Sequence, residues 1–264
     1  MHTVLKKKIK TALGRAADAL GISARRYALV STIVAFHRVN DDMPADGLTC
    51  SAAKFEDFCR YFSARFRVVS LREQIAGSHL GQDMGGTLSI TFDDGYLDNF
   101  EVAAPILQKY RLPATFFVTT GFLGSSIAAP WDAALPMAPR WMDWAHVRKL
   151  ASLGFEIGSH SDTHLNLATS SLDAVRSDLS TSREKLEREA GVTGRLFAYP
   201  FGGGGDISDA ARAVVRDLGF DCCASCHGGV NLRNADPYRL NRVGIAEWFD
   251  APEQFGLELF LGKA

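Results

Sequence analysis

The feature that most constrains the fold is an alternation of short apolar runs with longer amphipathic stretches. Residues 32–36, 87–92, 114–119, 155–158, 196–199 and 220–224 are rich in β-branched and aromatic side chains, which is typical of buried strands. Between most of them, apolar residues recur at helical spacing, as in Phe55, Phe58, Phe62 and Phe66. Strands joined through helices run parallel, so we predict an α/β fold with an open sheet or a barrel.

Composition and charge narrow the class of protein. The 264 residues are 47% hydrophobic and 22% charged, which suits one ordinary globular domain with a full core. A net charge of -1 gives no general attraction to nucleic acid, so we expect no nucleic-acid partner. The five cysteines are an odd number with Cys222, Cys223 and Cys226 crowded together, which favours reduced thiols over disulfides or an attached haem.

The first part of the chain differs from the rest in charge. Within residues 3–20, apolar side chains recur at helical spacing beside several lysines, which predicts a basic amphipathic helix. We therefore divide the chain into a helical segment, 1–28, and a single domain, 29–264. The helix could contact an anionic membrane surface peripherally, or its apolar stripe could pack on the domain. Because no signal-peptide or membrane-spanning pattern is apparent, we expect the protein in the cytoplasm.

A second irregular segment interrupts the alternation at residues 121–144. It contains three prolines and three tryptophans, which indicates a long loop over one face of the domain. Tryptophan side chains in such a loop could stack on a sugar, or could simply be buried beneath it.

Two adjacent carboxylates, Asp93 and Asp94, follow a predicted strand and precede Gly95. In a barrel, the carboxyl ends of the strands form the catalytic rim. Neighbouring carboxylates repel each other, and a cation bound by one would leave the other free as a base. An inert Asp-Asp-Gly turn is the alternative.

Two histidines follow another predicted strand, in His160-Ser161-Asp162-Thr163-His164. Imidazoles four residues apart can bind one metal ion. The metalloprotease pattern would place Glu after the first histidine, where this chain has Ser161. The pair could supply nitrogen ligands beside the aspartates, or could be an accidental pair of surface histidines.

A proline turn ends a third strand, in Phe197-Ala198-Tyr199-Pro200-Phe201-Gly202. The glycines that follow could suggest a phosphate loop, but no helix beginning with lysine comes after them. A rigid turn can instead direct a backbone N–H toward a developing oxyanion, which is the role we favour.

These three motifs, in this order over residues 30–246, resemble the polysaccharide deacetylase superfamily, also described as the NodB-homology domain and carbohydrate esterase family four. The resemblance implies a distorted (β/α) barrel and a divalent metal ion, zinc before cobalt, nickel or manganese. The ligands would be Asp94, His160 and His164. Asp93 would be the catalytic base, and the backbone N–H of Phe201 would stabilise the oxyanion.

The sequence departs from the family pattern at two places. An arginine that braces the base in many members is replaced by Ala198, and the Leu-x-His that often supplies the acid reads Leu240-Asn241-Arg242 here. Exopolysaccharide deacetylases instead carry a histidine after the first strand, and Phe36-His37 is similar. We therefore assign His37 as the general acid, with a structural role as the alternative, and Arg242 as the brace for Asp93.

The function implied is metal-dependent removal of acetyl from an N-acetylated sugar of a surface polysaccharide or glycan precursor. Its partner would be an N-acylated sugar or glycan. The alternatives are deformylation of a lipid-linked formamido sugar, a non-catalytic glycan-binding module, and, as a minor option, hydrolysis of an imide or ureide.

Overall fold

The computed structural model describes residues 2–261, without the side chains of 2–5, 227, 260 and 261. The helices in this range are α1 (His2–Ala19), α2 (Ile22–Tyr27), α3 (Ala52–Arg65), α4 (Leu71–His79), α5 (Ala104–Tyr110), α6 (Trp144–Ser152), α7 (Leu172–Ala190), α8 (Asp209–Asp217) and α9 (Gln254–Leu261). The strands are β1 (Thr32–Phe36), β2 (Arg38–Val39), β3 (Thr49–Cys50), β4 (Arg67–Val68), β5 (Thr87–Phe92), β6 (Ala114–Val118), β7 (Glu156–Ser159), β8 (Ala224–Gly228) and β9 (Leu240–Gly244). A π-helical turn, Asn99–Ala103, leads into α5.

The main sheet is parallel and strongly curled. Its strand order is β7-β6-β5-β1-β9-β8, and β4 pairs with the beginning of β5. Single bridges join its two outer strands through the segment after α7: Phe197 pairs with Ser159 of β7, and Ala198 pairs with Ala224 of β8. The ring is therefore closed by isolated bridges rather than by a full strand, which confirms the predicted distorted (β/α) barrel.

Two of the six predicted strands are wrong in detail. Residues 196–199 make only the isolated bridges that close the ring. Residues 220–224 are buried, but the N–H of Phe220 donates to Val215 at the end of α8 and that of Cys223 donates to Pro237. Their apolar character serves packing, and strand pairing begins only at Ala224.

Aromatic side chains fill the space between the sheet and α3. Phe36, Phe92 and Phe116 stack across β1, β5 and β6, with ring centroids 5.6 and 4.8 Å apart. Phe55 and Phe58 of α3 meet Phe36 edge-on. Burying each such side chain stabilises the fold by about 1.5–3 kcal/mol. This packing against α3 holds in place the strands that carry the site residues.

Helix α1 docks on the C-terminal part of the chain through its small, polar face. Thr11 and Gly14 are buried there, and a Cβ on Gly14 would lie 1.9 Å from the carbonyl oxygen of Glu253. Asp18, further along the helix, is buried against Tyr61 and Arg65 of α3. Lys10 pairs with Glu258, and Arg15 pairs with Glu253 at 3.3 Å. The apolar stripe therefore does not pack on the domain, because it lies on the opposite side of the helix.

That outward stripe is exposed along the described part of α1 and just beyond it. Ile9, Leu13 and Leu20 are 49%, 55% and 72% exposed. Leu5, which continues the pattern, lies outside the side chains that the structure describes. None of the helices within residues 2–261 has the length and apolar character needed to span a membrane.

The Trp- and Pro-rich segment, 121–144, forms a loop as predicted, with one 3-10 turn at Pro130–Asp132. Tyr96 forms a β-bridge with Trp141, and the indole N–H of Trp131 donates to the hydroxyl of Tyr96 at 2.8 Å. These contacts fix the loop over the carboxyl ends of the strands.

Candidate active site

Asp94, His160 and His164 meet at the carboxyl ends of β5 and β7. Asp94 Oδ1 lies 3.3 Å from Nε2 of His160 and 3.4 Å from Nε2 of His164. Tetrahedral zinc with ligands about 2.0–2.1 Å away requires nitrogen and oxygen atoms roughly 3.3 Å apart. The three predicted metal ligands therefore have the spacing that one ion needs.

The surroundings of these three groups also fit a cation. The Nδ1 atom of His160 lies 2.8 Å from the carbonyl oxygen of Ala198, to which it donates, so Nε2 keeps its lone pair. Among the described residues, Asp94 Oδ1 is buried without a hydrogen-bond donor. Burial is the main reason that the pKa of His164 is lowered, which keeps this ring in the neutral form that a metal requires.

Backbone strain is concentrated at this cluster. Asp94, Ser161, His164 and Phe201 have φ values of 72°, 65°, 58° and 63°, in the left-handed region that non-glycine residues rarely adopt. Each costs about 1–3 kcal/mol and persists only where surrounding contacts enforce it. Strain of this kind is typical of functional sites.

Asp93 faces a different partner from Asp94. The guanidinium of Arg242 donates from Nη1 to Oδ1 at 2.7 Å and from Nη2 to Oδ2 at 2.6 Å. Burial raises the pKa of Asp93, but the charge of Arg242 outweighs it and holds that pKa below its usual value. Asp93 is thus held as a carboxylate, in contact with the arginine assigned as its brace.

Arg242 is itself fixed on all sides. It is fully buried, Nη1 also donates to Thr91 Oγ1 at 2.9 Å, and Nε donates to the carbonyl oxygen of Ser225. Its guanidinium carbon lies 5.4 Å from the ring centre of Phe117. The side chain therefore has one orientation in which to hold Asp93.

His37 follows β1 and lies beside Asp93, with its Nε2 3.9 Å from Asp93 Oδ2. Burial lowers the pKa of His37, but Cys226, Asp94 and Asp93 together raise it to about 9. The imidazole is then protonated at neutral pH, as a general acid must be. The carbonyl oxygen of His37 accepts a hydrogen bond from Asn99 at 2.6 Å, which fixes the turn after the strand.

Phe201 occupies the proline turn opposite these groups. Its ring centre is 4.7 Å from that of His164, and its side chain is 53% exposed. Within residues 2–261, no backbone carbonyl accepts a hydrogen bond from its N–H. Gly202, which follows, has φ 69°, and a Cβ there would lie 2.4 Å from the backbone nitrogen of Cys226. Glycine is required for this close approach to β8.

The site residues surround a cavity of about 440 Å³. This volume is in the range of small-molecule pockets. Aromatic side chains contribute much of its wall, namely Trp131, Tyr199, Phe201 and Trp248. All of the predicted site residues except the fully buried Arg242 line it.

Several groups at the cavity were not predicted from the sequence. Trp131 is held by Tyr96, whose hydroxyl donates to Asp132 at 2.8 Å, and Asp132 is paired with buried Arg38. No sequence motif indicates that Arg38, Asp132 and Tyr96 support the cavity wall. Cys226 and Trp248 also line the cavity. The crowding of Cys222, Cys223 and Cys226 was noted in the sequence, but only as reduced thiols and not as part of a site.

Comparison with known proteins agrees with this arrangement. The family model described as "Polysaccharide deacetylase" matches residues 81–223, more than half of the chain. The peptidoglycan-N-acetylmuramic acid deacetylase PdaA of Bacillus subtilis is 26% identical over 132 residues, 50% of this chain and 44% of that protein. The poly-β-1,6-N-acetyl-D-glucosamine N-deacetylase of Staphylococcus aureus is 24% identical over 204 residues, 75% of this chain and 68% of that protein.

Among solved structures, the Streptococcus pyogenes deacetylase PplD in complex with acetate superposes with a TM-score of 0.74. It is 19% identical, and the match covers 88% of this chain and 98% of that one. The fold is thus that of a deacetylase barrel. The chain belongs to the polysaccharide deacetylase family. This confirms the predicted family. The matches span about half the length of the first curated relatives, 50% and 44%.

Proposed function

We propose that this protein is a metal-dependent N-deacetylase that removes acetyl from an N-acetylated sugar of a surface polysaccharide or glycan precursor. The observation that carries the proposal is the convergence of Asp94, His160 and His164 beside the separately held carboxylate of Asp93. The poly-β-1,6-N-acetyl-D-glucosamine N-deacetylase among its relatives supports the choice of an N-acetylated glycan. The aromatic wall of the cavity suits the apolar faces of sugar rings.

In this proposal Asp94, His160 and His164 hold a divalent ion, with zinc the best match to their donor atoms. When bound, such an ion supplies Lewis-acid polarisation of the acyl carbonyl and lowers the pKa of water.

The remaining steps belong to the side chains and backbone of this chain. Asp93, ionised and fixed by Arg242, takes the proton from the water that attacks the carbonyl carbon. The N–H of Phe201 donates to the oxyanion as it forms. His37 holds a proton and delivers it to the amide nitrogen as the carbon–nitrogen bond breaks. Acetate and a free amino sugar leave.

The test uses protein loaded with one zinc per chain. It measures acetate release from β-1,6-linked N-acetylglucosamine oligomers and N-acetylated sugar nucleotides, and formate release from the matching N-formyl sugars. We expect turnover on an N-acetyl substrate, reduced about 10²–10⁴-fold in Asp93→Asn at unchanged zinc content. The exposed Asp57→Asn serves as control. One bound zinc per chain with no product from any substrate would indicate a glycan-binding module, and preference for formyl would indicate a deformylase.

We also propose that α1 attaches the protein peripherally to an anionic membrane. The exposed stripe of Ile9, Leu13 and Leu20 is accompanied by exposed basic side chains at Lys6 and Lys8. An apolar helix face flanked by lysines binds anionic lipid through both burial and charge. The ammonium group of Lys7 donates a hydrogen bond to the carbonyl oxygen of Glu247 at 2.7 Å. Glu247 immediately precedes Trp248, which lines the cavity. Membrane contact would therefore bring the cavity close to lipid-linked or surface glycans.

Sedimentation with phosphatidylglycerol vesicles, compared with phosphatidylcholine vesicles, tests this attachment. We expect binding only to the anionic vesicles, and its loss in the double variant Ile9→Ser, Leu13→Ser. Leu80→Ser is the matched control, because Leu80 is 75% exposed at the end of α4. Equal binding of both variants, or a dimer in solution that only the double variant abolishes, would contradict a membrane role.

A further inference from the structure

A second group of potential metal ligands lies in the same cavity and plays no part in the ligand set described above. It consists of His37, Asp93 and Cys226, whose ligand atoms all lie within 4.8 Å of one another. Cys226 Sγ is 3.9 Å from His37 Nε2, which is in turn 3.9 Å from Asp93 Oδ2. Cys226 is half-buried, so its thiol can be reached from the cavity.

The three side chains are fixed by independent contacts. The backbone of Cys226 donates to the carbonyl oxygen of Gly202 at 3.1 Å, and Arg242 holds Asp93. The turn at His37 is fixed by Asn99. Ligands arranged in advance in this way lose little conformational freedom when they bind an ion.

The donor atoms select the metal. Sulfur, imidazole nitrogen and carboxylate oxygen together are a typical zinc donor set, and tetrahedral zinc requires these atoms roughly 3.3–3.6 Å apart. The observed 3.9 Å separations are therefore only a few tenths of an ångström too long. Hard ions such as magnesium would be disfavoured by the thiolate.

We propose that His37, Asp93 and Cys226 form a second, weaker zinc site that inhibits the enzyme when zinc is in excess. On binding, the Cys226 thiol loses its proton to solvent as the zinc–sulfur bond forms, and protonated His37 does the same as its nitrogen binds. The positive charge of Arg242 beside Asp93 opposes the ion. Among the described residues, no arginine or lysine pairs with Asp94, so the site at Asp94, His160 and His164 fills first.

Occupation of this second site would remove two groups from the proposed reaction at once. Asp93 could no longer accept the proton of water, and His37 would have no proton to deliver. Inhibition by excess zinc rests on the proposed function, but the existence of the site does not.

Cobalt titration of the metal-free protein tests the site without reference to activity. Cobalt bound by a thiolate gives a charge-transfer absorption in the near ultraviolet, and Asp94, His160 and His164 contain no sulfur. We expect two cobalt ions per chain, with this band appearing mainly with the second. Cys226→Ser should bind one ion without the band, whereas His160→Ala should keep the band. A wild-type protein without the band at saturating cobalt, or a band that survives in Cys226→Ser, would overturn the proposal.

Two further measurements test whether Cys226→Ser is folded and whether zinc binds at Cys226. Circular dichroism and thermal melting establish that Cys226→Ser is folded, and excess zinc should protect Cys226 of the wild type from iodoacetamide. If turnover is detected, the zinc concentration that halves it should rise roughly tenfold or more in Cys226→Ser. If turnover is absent but the cobalt band is present, the proposed function fails while the second site stands.

Discussion

Arg242 of β9 reaches past β1 to bind both carboxylate oxygens of Asp93, the residue that follows β5. The pair is buried, with side-chain exposures of 0% and 1%. A charge pair so placed ties together three neighbouring strands directly under the site. It also supplies from a distant part of the sequence the positive charge that many family members place next to the proline turn.

Replacement of Arg242 by methionine should lower both the stability of the protein and its proposed deacetylase activity. A buried carboxylate left without its partner typically costs about 3–5 kcal/mol, and the pKa of Asp93 should rise as the guanidinium is lost. We expect a lower urea midpoint and loss of acetate release at neutral pH. Arg140→Met is the matched control, because its pair with Glu101 is exposed and should contribute less than about 1 kcal/mol. Similar stability of both variants would contradict the role assigned to Arg242.

Removal of the metal should lower thermal stability. An ion bound only by the folded protein stabilises it by about 2.7 kcal/mol at a concentration one hundred times its dissociation constant. We expect the melting temperature to rise when one equivalent of zinc is restored to the chelator-treated protein, and most of this rise to be lost in His160→Ala, which keeps only the weaker second site. His79→Ala, at an exposed position of α4, should respond as the wild type does. A zinc response that is unchanged in His160→Ala would remove His160 from the ligand set.

Gly202→Ala should distort the proline turn. The residue has φ 69°, and an added Cβ would collide with the backbone of Cys226 in β8. Because Phe201 is adjacent, we expect a marked fall in kcat, accompanied by only a small fall in melting temperature. Gly205→Ala, where an added Cβ meets nothing within 4 Å, should leave both nearly unchanged. Equal behaviour of the two variants would show that the turn tolerates a side chain.

The five thiols should differ sharply in reactivity. Burial raises the pKa of Cys50, Cys222 and Cys223 to about 12, and raises that of Cys59 as well. These four therefore remain protonated and shielded at neutral pH. Iodoacetamide should modify only Cys226 in the native, metal-free protein and all five cysteines after unfolding, as measured by peptide mass spectrometry. Rapid labelling of Cys222 or Cys223 in the native state would contradict their burial.

The sequence predicted well those features that depend on local pattern. Four of the seven strands between residues 32 and 159, namely β1, β5, β6 and β7, were predicted from their apolar runs, and the long helices showed clear periodicity. The site motifs follow directly after strands. The side chains of Asp94, His160 and His164 meet as the parallel arrangement requires. The membrane contact and the assigned catalytic roles remain predictions.

The features that failed or were missed depend on partners distant in sequence. Residues 220–223 look like a strand because they are apolar, but their buried N–H groups find acceptors in loops and a helix end. The pairing of Arg38 with Asp132 joins residues 94 positions apart. The outward orientation of the α1 stripe follows from the close contact of Gly14 with Glu253, which no helical periodicity reveals.

The isolated bridges at Phe197 and Ala198 form a seam in the ring with fewer paired residues than β1 has with β5 or β6 has with β7. Amide hydrogens there should exchange with solvent sooner than those of β1 or β5, since fewer hydrogen bonds must break together. Phe201 lies just beyond this seam, whereas Asp93 and Asp94 follow a strand paired on both sides. Phe201 and the two carboxylates are thus mounted on parts of unequal rigidity, so local opening of the seam would move the proline turn and leave the acidic pair in place.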